Sequence, residues 1–270
     1  PGLWEKHLEE GLLKVGFVPI HENWPSVFFH SKLKLLLMVY VDDFKLAGPS
    51  KNLAEGWALI KSKVTLGKDG PTKMGLCLGC HHERFTREYK GKKVQGVRYN
   101  MEHSLLQAVE HYEKLCARHN YKCNLRPVET PFINTTTIDP DVDKFDEDKG
   151  VLASSAASIL MKLLYTARLA RFDLLKAITS LASRMTTWTR RCDKQLDRLM
   201  AYVKHSARDS KLEGYVGDDP ADLRLQIYAD ADFASDLLTR RSTSGLFLAL
   251  AGPHTFFPLT AASKKQTAVS

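Results

Sequence analysis

No stretch of this sequence stays apolar for long. The longest uninterrupted run, Leu35 to Val41, falls far short of the roughly 20 residues a bilayer crossing needs, so no membrane-spanning helix is expected. Cysteine is scarce: five residues at irregular spacing argue against a disulfide framework and for reduced thiols in an intracellular protein. The start, Pro1-Gly2-Leu3-Trp4, lacks an initiator Met and the charged-then-apolar layout of a secretion signal. It reads as the interior of a longer chain. Glutamate is missing altogether after Glu213.

What is present is ordinary in amount and uneven in distribution. Apolar residues make up 44% and charged residues 26% of the 270, enough for one large domain or two to three smaller ones. The net charge of +8 divides into blocks. Residues 1–132 hold 20 Lys and Arg against 14 Asp and Glu, and residues 151–213 hold 12 against 5. Between them, residues 133–150 hold 2 against 6, and residues 214–270 hold 5 against 6. Two basic blocks around an acidic stretch point to a polyanion, nucleic acid first. Solvated surface charge would produce the same counts.

Hydrophobic period organises the chain. Residues 5–17 read as an amphipathic helix with Leu8, Leu12 and Leu13 on one side, ended by Gly16-Phe17. Val27-Phe28-Phe29 suggests a strand. The run from Leu35 to Val41, the break Asp42-Asp43 and Phe44 to Gly48 read as a β-hairpin. Leu53, Trp57, Ile60 and Val64 recur at helical spacing, as do Leu105, Val109, Tyr112 and Cys116. The segment from Asn134 to Gly150 is polar and aperiodic, a linker. Three helical patterns follow: Ile159 to Leu169, Leu174 to Met185, and Leu196 to Val203. The tail alternates at Leu223, Leu225 and Ile227, is apolar from Leu246 to Leu250, and turns at Gly252-Pro253 before Thr255-Phe256-Phe257, a strand meander.

Asp42-Asp43 is the sharpest chemical feature. Asp is a common turn residue and needs no metal. Two carboxylates on a hairpin tip are nevertheless the hard oxygen donors Mg²⁺ takes, its shell completed by water and phosphate. Tyr40-Val41-Asp42-Asp43 inside an apolar hairpin resembles the Tyr-x-Asp-Asp box of reverse transcriptases. The longer LLLMVYVDDFKLAG is similar to its version in copia-type LTR retrotransposon Pol polyproteins. Pro25-Ser26-Val27-Phe28, Leu78-Gly79, Glu129-Thr130-Pro131, and Leu163-Leu164-Tyr165 with Ala170-Arg171-Phe172-Asp173-Leu174 resemble further stretches of that family in order, with Phe172 replacing its usual Pro. Tyr228-Ala229-Asp230-Ala231-Asp232-Phe233-Ala234-Ser235-Asp236, with Arg240 to Gly245 and Lys264-Lys265-Gln266, resembles the start of its ribonuclease H.

The resemblance implies a function and a division. Residues 1–132 would be the C-terminal part of a polymerase palm with a thumb-like region, 133–150 an acidic linker, 151–213 a helical connection and 214–270 the first strands of a ribonuclease H-like sheet. The fold class expected is α+β. Asp42 and Asp43 would be two of three palm carboxylates holding Mg²⁺, or Mn²⁺ in its place. The third belongs to an earlier strand, and the acids before Asp42 are only Glu5, Glu9, Glu10 and Glu22. Tyr40, Leu78 and Gly79 would touch nucleic acid, Leu78-Gly79 by backbone contact with the primer. Asp230 would anchor metal in the nuclease, whereas Asp232 and Asp236 read as acids of a solvated turn. The implied partners are RNA template, DNA primer, RNA–DNA hybrid and dNTPs. The implied location is cytoplasmic, particle-associated or nuclear. The rival expectation is a non-catalytic nucleic-acid-binding remnant of a decayed element. On the same pattern, residues 214–270 are not expected to form a stable domain alone, because Phe247, Phe256 and Phe257 would lack covering helices.

Other patterns are set aside. Cys77-Leu78-Gly79-Cys80-His81 has the haem-attachment spacing and supplies zinc-type ligands with His82, Cys116 or Cys123, but falls where the resemblance puts the primer hairpin. Asp139, Asp141 and Asp143 mimic a calcium loop, yet Lys144 stands where Gly is needed and Gly150 where the bidentate Glu is.

Overall fold

A computed structural model describes residues 2–67, 70–133, 148–234 and 240–267. Most of the expected linker, the calcium-loop mimic and Asp236 lie outside the described residues. The chain divides into two compact units, Pro1–Leu78 and Gly79–Ser270.

In the first unit, helix α1 (Gly2–Leu13) precedes strands β1 (Phe17–Pro19), β2 (Val27–His30), β3 (Leu35–Tyr40) and β4 (Asp43–Ala47). Helix α2 (Ser50–Lys61) and the two-residue strand β5 (Leu76–Cys77) follow. The sheet runs β1-β2-β3-β4, antiparallel throughout. Alternation decides its faces: Leu35, Leu37 and Val39 are buried, whereas Leu36 and Tyr40 are exposed. The buried set packs with Leu8 and Leu12 of α1, Phe17, Phe28, and Ile60 and Val64 at and beyond the end of α2. The first helix ends at Leu13, short of Phe17, which belongs to the sheet instead.

In the second unit, strands β6 (Cys80–Tyr89) and β7 (Lys92–Asn100) form a long hairpin before helix α3 (Glu102–Arg118). Helices α4 (Ala156–Ala170), α5 (Leu175–Ala182) and α6 (Arg190–Ser206) follow. Then come β8 (Leu212–Val216), β9 (Arg224–Ala231), β10 (Thr243–Gly252) and β11 (Thr255–Lys265). These strands make one antiparallel sheet in the order β6-β7-β8-β11-β10-β9. The helices share a core of Leu105, Tyr112, Leu160, Leu163, Ile178, Leu196 and Met200, among others.

Two features of this unit differ from the expectation of independent segments. The tail strands share a sheet with the β6–β7 hairpin, since Gly96 faces Tyr215 and Tyr215 faces Phe256. In addition, Phe247 is not left to water. It packs edge-on against Phe172 at 6.2 Å and stacks on Phe256 at 6.2 Å. The segment before α5 therefore covers part of a face expected to stay open. No described helix is long and apolar enough to cross a membrane.

Candidate functional site

The Asp42-Asp43 hairpin is built by register. Tyr40 pairs with Asp43, leaving Val41 and Asp42 as a two-residue loop. Val41 has φ +56°, a left-handed conformation that costs a β-branched residue about 1–2 kcal/mol and that such loops usually assign to Gly. The Trp4 indole N–H donates to the Val41 carbonyl at 3.1 Å, anchoring the loop to α1. Both carboxylates are exposed. Asp42 also borders a cleft of about 220 Å³ with Phe44, Trp57, Leu66 and Thr72. Tyr40 is 61% exposed. Of the earlier acids, Glu5, Glu9 and Glu10 lie on α1 and Glu22 in a turn, so none reaches the tip from a neighbouring strand.

Leu78 and Gly79 have φ +51° and +72°, two successive left-handed residues of the kind that close a tight hairpin. The Gly79 carbonyl accepts a hydrogen bond from Ser104 Oγ at 3.4 Å. Beside this turn, the buried Cys80 thiol approaches the His81 carbonyl at 3.8 Å, and the His82 ring meets Tyr99 edge-on at 4.8 Å.

Asp230 sits on β9 opposite Gly245, exposed, with Oδ1 accepting the Ala231 N–H at 2.9 Å. It lines a cleft of about 660 Å³ together with Phe172, Asp173, Lys176, Tyr228, Asp232 and Phe247. Asp232, expected in a solvated turn, is engaged instead. Its Oδ1 accepts the Thr243 N–H at 2.6 Å, and its Oδ2 lies 2.7 Å from Lys176 Nζ. Asp173 is held by Arg171, which is 2% exposed and grips it through two bonds of 2.9 and 2.7 Å. Tyr202 also donates to Asp173 at 3.0 Å. The Arg171-Phe172-Asp173 stretch is therefore a clasp between α4 and α5 that aims Phe172 at the cleft. Sequence reading gave Phe172 no role and missed Lys176 entirely.

The structure thus puts Asp42 and Asp43 on one hairpin in the first unit and Asp230 on a cleft wall in the second. Among the described residues, no group of three or more His, Cys, Asp or Glu side chains is placed to hold a metal ion. Two exposed adjacent carboxylates fit a cation that takes most of its shell from water and phosphate, and not one that needs an all-protein cage.

Two antiparallel sheets with segregated helices make the chain α+β. Among curated proteins, it is 25% identical over 221 residues to the "Retrovirus-related Pol polyprotein from transposon TNT 1-94" of Nicotiana tabacum. The match takes in 81% of this chain and 15% of that protein's length. That likeness supports a retroelement polyprotein as the source of the sequence. No family model and no solved structure matches the chain.

Proposed function

We propose that this chain is the rear part of a reverse transcriptase joined through a helical connection to the opening of a ribonuclease H. The observation that carries the reading is the exposed Asp42-Asp43 pair on an apolar hairpin whose Val41 is held at positive φ. The likeness to a Pol polyprotein over most of the chain supports it. Asp42 and Asp43 would hold Mg²⁺ or Mn²⁺, which when bound activates a primer hydroxyl and neutralises charge on the dNTP phosphates. Tyr40 would pack against the primer–template, and the Leu78-Gly79 turn would offer backbone groups to the primer end. Asp230 would take part in cleaving template RNA from the hybrid, with Lys176 and Phe172 shaping the cleft around it.

The described residues hold two palm carboxylates and no third beside them. Residues 1–270 alone are therefore expected to bind RNA–DNA hybrid without extending a primer. Phosphate contacts release counterions, so hybrid affinity should fall steeply with salt. A fluorescence titration with a 20-base-pair hybrid across salt concentrations tests this. Salt-independent binding, or none at low salt, would overturn the reading.

A second reading, a nucleic-acid-binding remnant without catalysis, is favoured by the lack of a three-ligand group among the described residues. Primer extension by the uninterrupted polyprotein decides between the two. Synthesis that Asp43→Asn abolishes supports the polymerase, and binding without synthesis supports the remnant.

A further inference from the structure

Helix α3 ends in a chain reversal. Asn120 has φ +51°. Its N–H donates to the Ala117 carbonyl at 3.2 Å, and the Tyr121 N–H donates to the Cys116 carbonyl at 2.8 Å. A left-handed residue flanked by these two bonds is a Schellman cap. Beyond it, Tyr121, Cys123 and Leu125 pack against the core that holds Leu115 and Cys116. Two contacts with α6 pin the returning segment. The Tyr121 hydroxyl donates to Asp197 Oδ2 at 2.7 Å, and His205 Nε2 lies 3.0 Å from the Leu125 carbonyl.

The reversal brings two cysteines together. The Cys116 and Cys123 thiols are hydrogen-bonded to one another, and both are reduced. Neither belongs to the carboxylate sites. A disulfide needs side chains that converge, and two hydrogen-bonded thiols already point at each other. Closing the bond calls for side-chain rotation rather than a new fold. The two thiols differ in access, since Cys116 is 2% exposed and Cys123 is partly buried. Burial pushes the Cys116 thiol up to about 12. Attack on an outside oxidant therefore falls to Cys123, because the thiolate is the nucleophile.

We propose that Cys116 and Cys123 form a reversible dithiol–disulfide pair, a modification site for low-molecular-weight disulfides such as glutathione disulfide. The Cys123 thiolate attacks one sulfur of the oxidant, forming a mixed disulfide and releasing one glutathione. The Cys116 thiol then gives its proton to water, attacks the Cys123 sulfur and releases the second glutathione. Two protein thiols are oxidised, and the oxidant is reduced to two thiols. The new bond fastens residues 121–125 to the last turn of α3. This modification is independent of the polymerase reading.

The test is oxidation of the full chain across a series of glutathione disulfide to glutathione ratios. Acid quenching, alkylation of the denatured chain and peptide mass mapping then read each thiol. Cys116 and Cys123 should lose alkylation together, in peptides joined to each other and lighter by two hydrogens. Dithiothreitol should restore both. In Cys123→Ser, Cys116 should keep its alkylation at every ratio. In Cys116→Ser, Cys123 should stop at the glutathione mixed disulfide. Position 123 is partly exposed, so the first variant decides if the second does not fold. A native chain in which Cys123 carries glutathione while Cys116 stays reduced would overturn the proposal. So would full alkylation of both at every ratio, or Cys116 oxidised equally in Cys123→Ser. A Cys116–Cys123 link that appears only in urea would overturn it as well.

Discussion

Lys176 Nζ lies 2.7 Å from Asp232 Oδ2, joining α5 to the end of β9 across 56 positions of sequence. Both side chains are about one-third exposed, at 39% and 31%, so the ion pair alone is worth about 0.5 kcal/mol. The same carboxylate also holds the Thr243 N–H. Asp232→Ala should therefore cost about 1–2 kcal/mol, and Lys176→Ala or Asp232→Asn about 0.5 kcal/mol. Urea denaturation of the three variants checks this, and equal losses would show that the backbone bond contributes nothing.

Asp197 is the acceptor for two tyrosines, Tyr112 and Tyr121, each at 2.7 Å. Asp197→Ala strands two partly or fully buried hydroxyls and should cost about 3 kcal/mol. Burial drives the Asp197 carboxyl pKa up, against the Tyr121 and Tyr112 hydroxyls and the Asn124 backbone N–H, which lower it. The folded protein then holds this proton more tightly than the unfolded chain. Its contribution to stability is fully present below the unfolded Asp value of about 3.9 and declines as pH rises through the folded pKa. The stability of the native chain relative to Asp197→Asn should accordingly shrink from pH 4 towards neutrality. A difference that grows with pH would show that the hydrogen bonds outweigh burial.

Gly96 faces Phe85 across the β6–β7 hairpin. A Cβ there would lie 2.3 Å from Phe85 Cζ and 2.7 Å from the Gly214 carbonyl. The Phe85 ring fills that space, with Arg87 and Arg98 at 5.1 and 5.4 Å from its centroid. Overpacking costs about 1–3 kcal/mol, so Gly96→Ala should lower the melting temperature although Gly is a poor strand residue. An unchanged or higher melting temperature would show that the ring can yield.

Val41 offers the opposite experiment. Glycine tolerates φ +56° freely, so Val41→Gly should leave stability unchanged or raise it by up to about 1 kcal/mol. Val39→Ala, at a buried position of the adjoining strand, should cost about 1–3 kcal/mol. A large loss in Val41→Gly would mean that the side chain, 66% exposed, holds the loop through contacts rather than enduring strain.

The first unit was largely readable because its signals are local. The apolar run, the Asp42-Asp43 break and the following Phe44 to Gly48 specify a hairpin within 14 residues, and the structure has β3 and β4 there. The helical patterns at 105–116, 159–169 and 196–203 fall within α3, α4 and α6. Cys80–Tyr89 was not readable as a strand from its own period. It mixes Arg, Glu and His on both faces, and its hairpin is stitched down from outside. Arg98 reaches Glu213 at 2.6 Å, and Arg87 lies 4.3 Å over the Tyr215 ring.

The candidate site divides the same way. Asp42, Asp43 and Asp230 were named through the resemblance of their flanking segments to a family, and the structure places all three in exposed positions, on the hairpin tip and on β9. Lys176, Phe172 and the working partner of Asp232 could not be named that way. Sequence alone determined those elements whose apolar period shows within a few neighbouring residues, such as the β3–β4 hairpin and helices α3, α4 and α6. Tertiary structure decided which buried charges are tolerated and which strands join. A carboxylate such as Asp193 can be buried only where the Trp188 indole and the Val151 and Leu152 N–H groups, brought from up to 42 positions away, satisfy it.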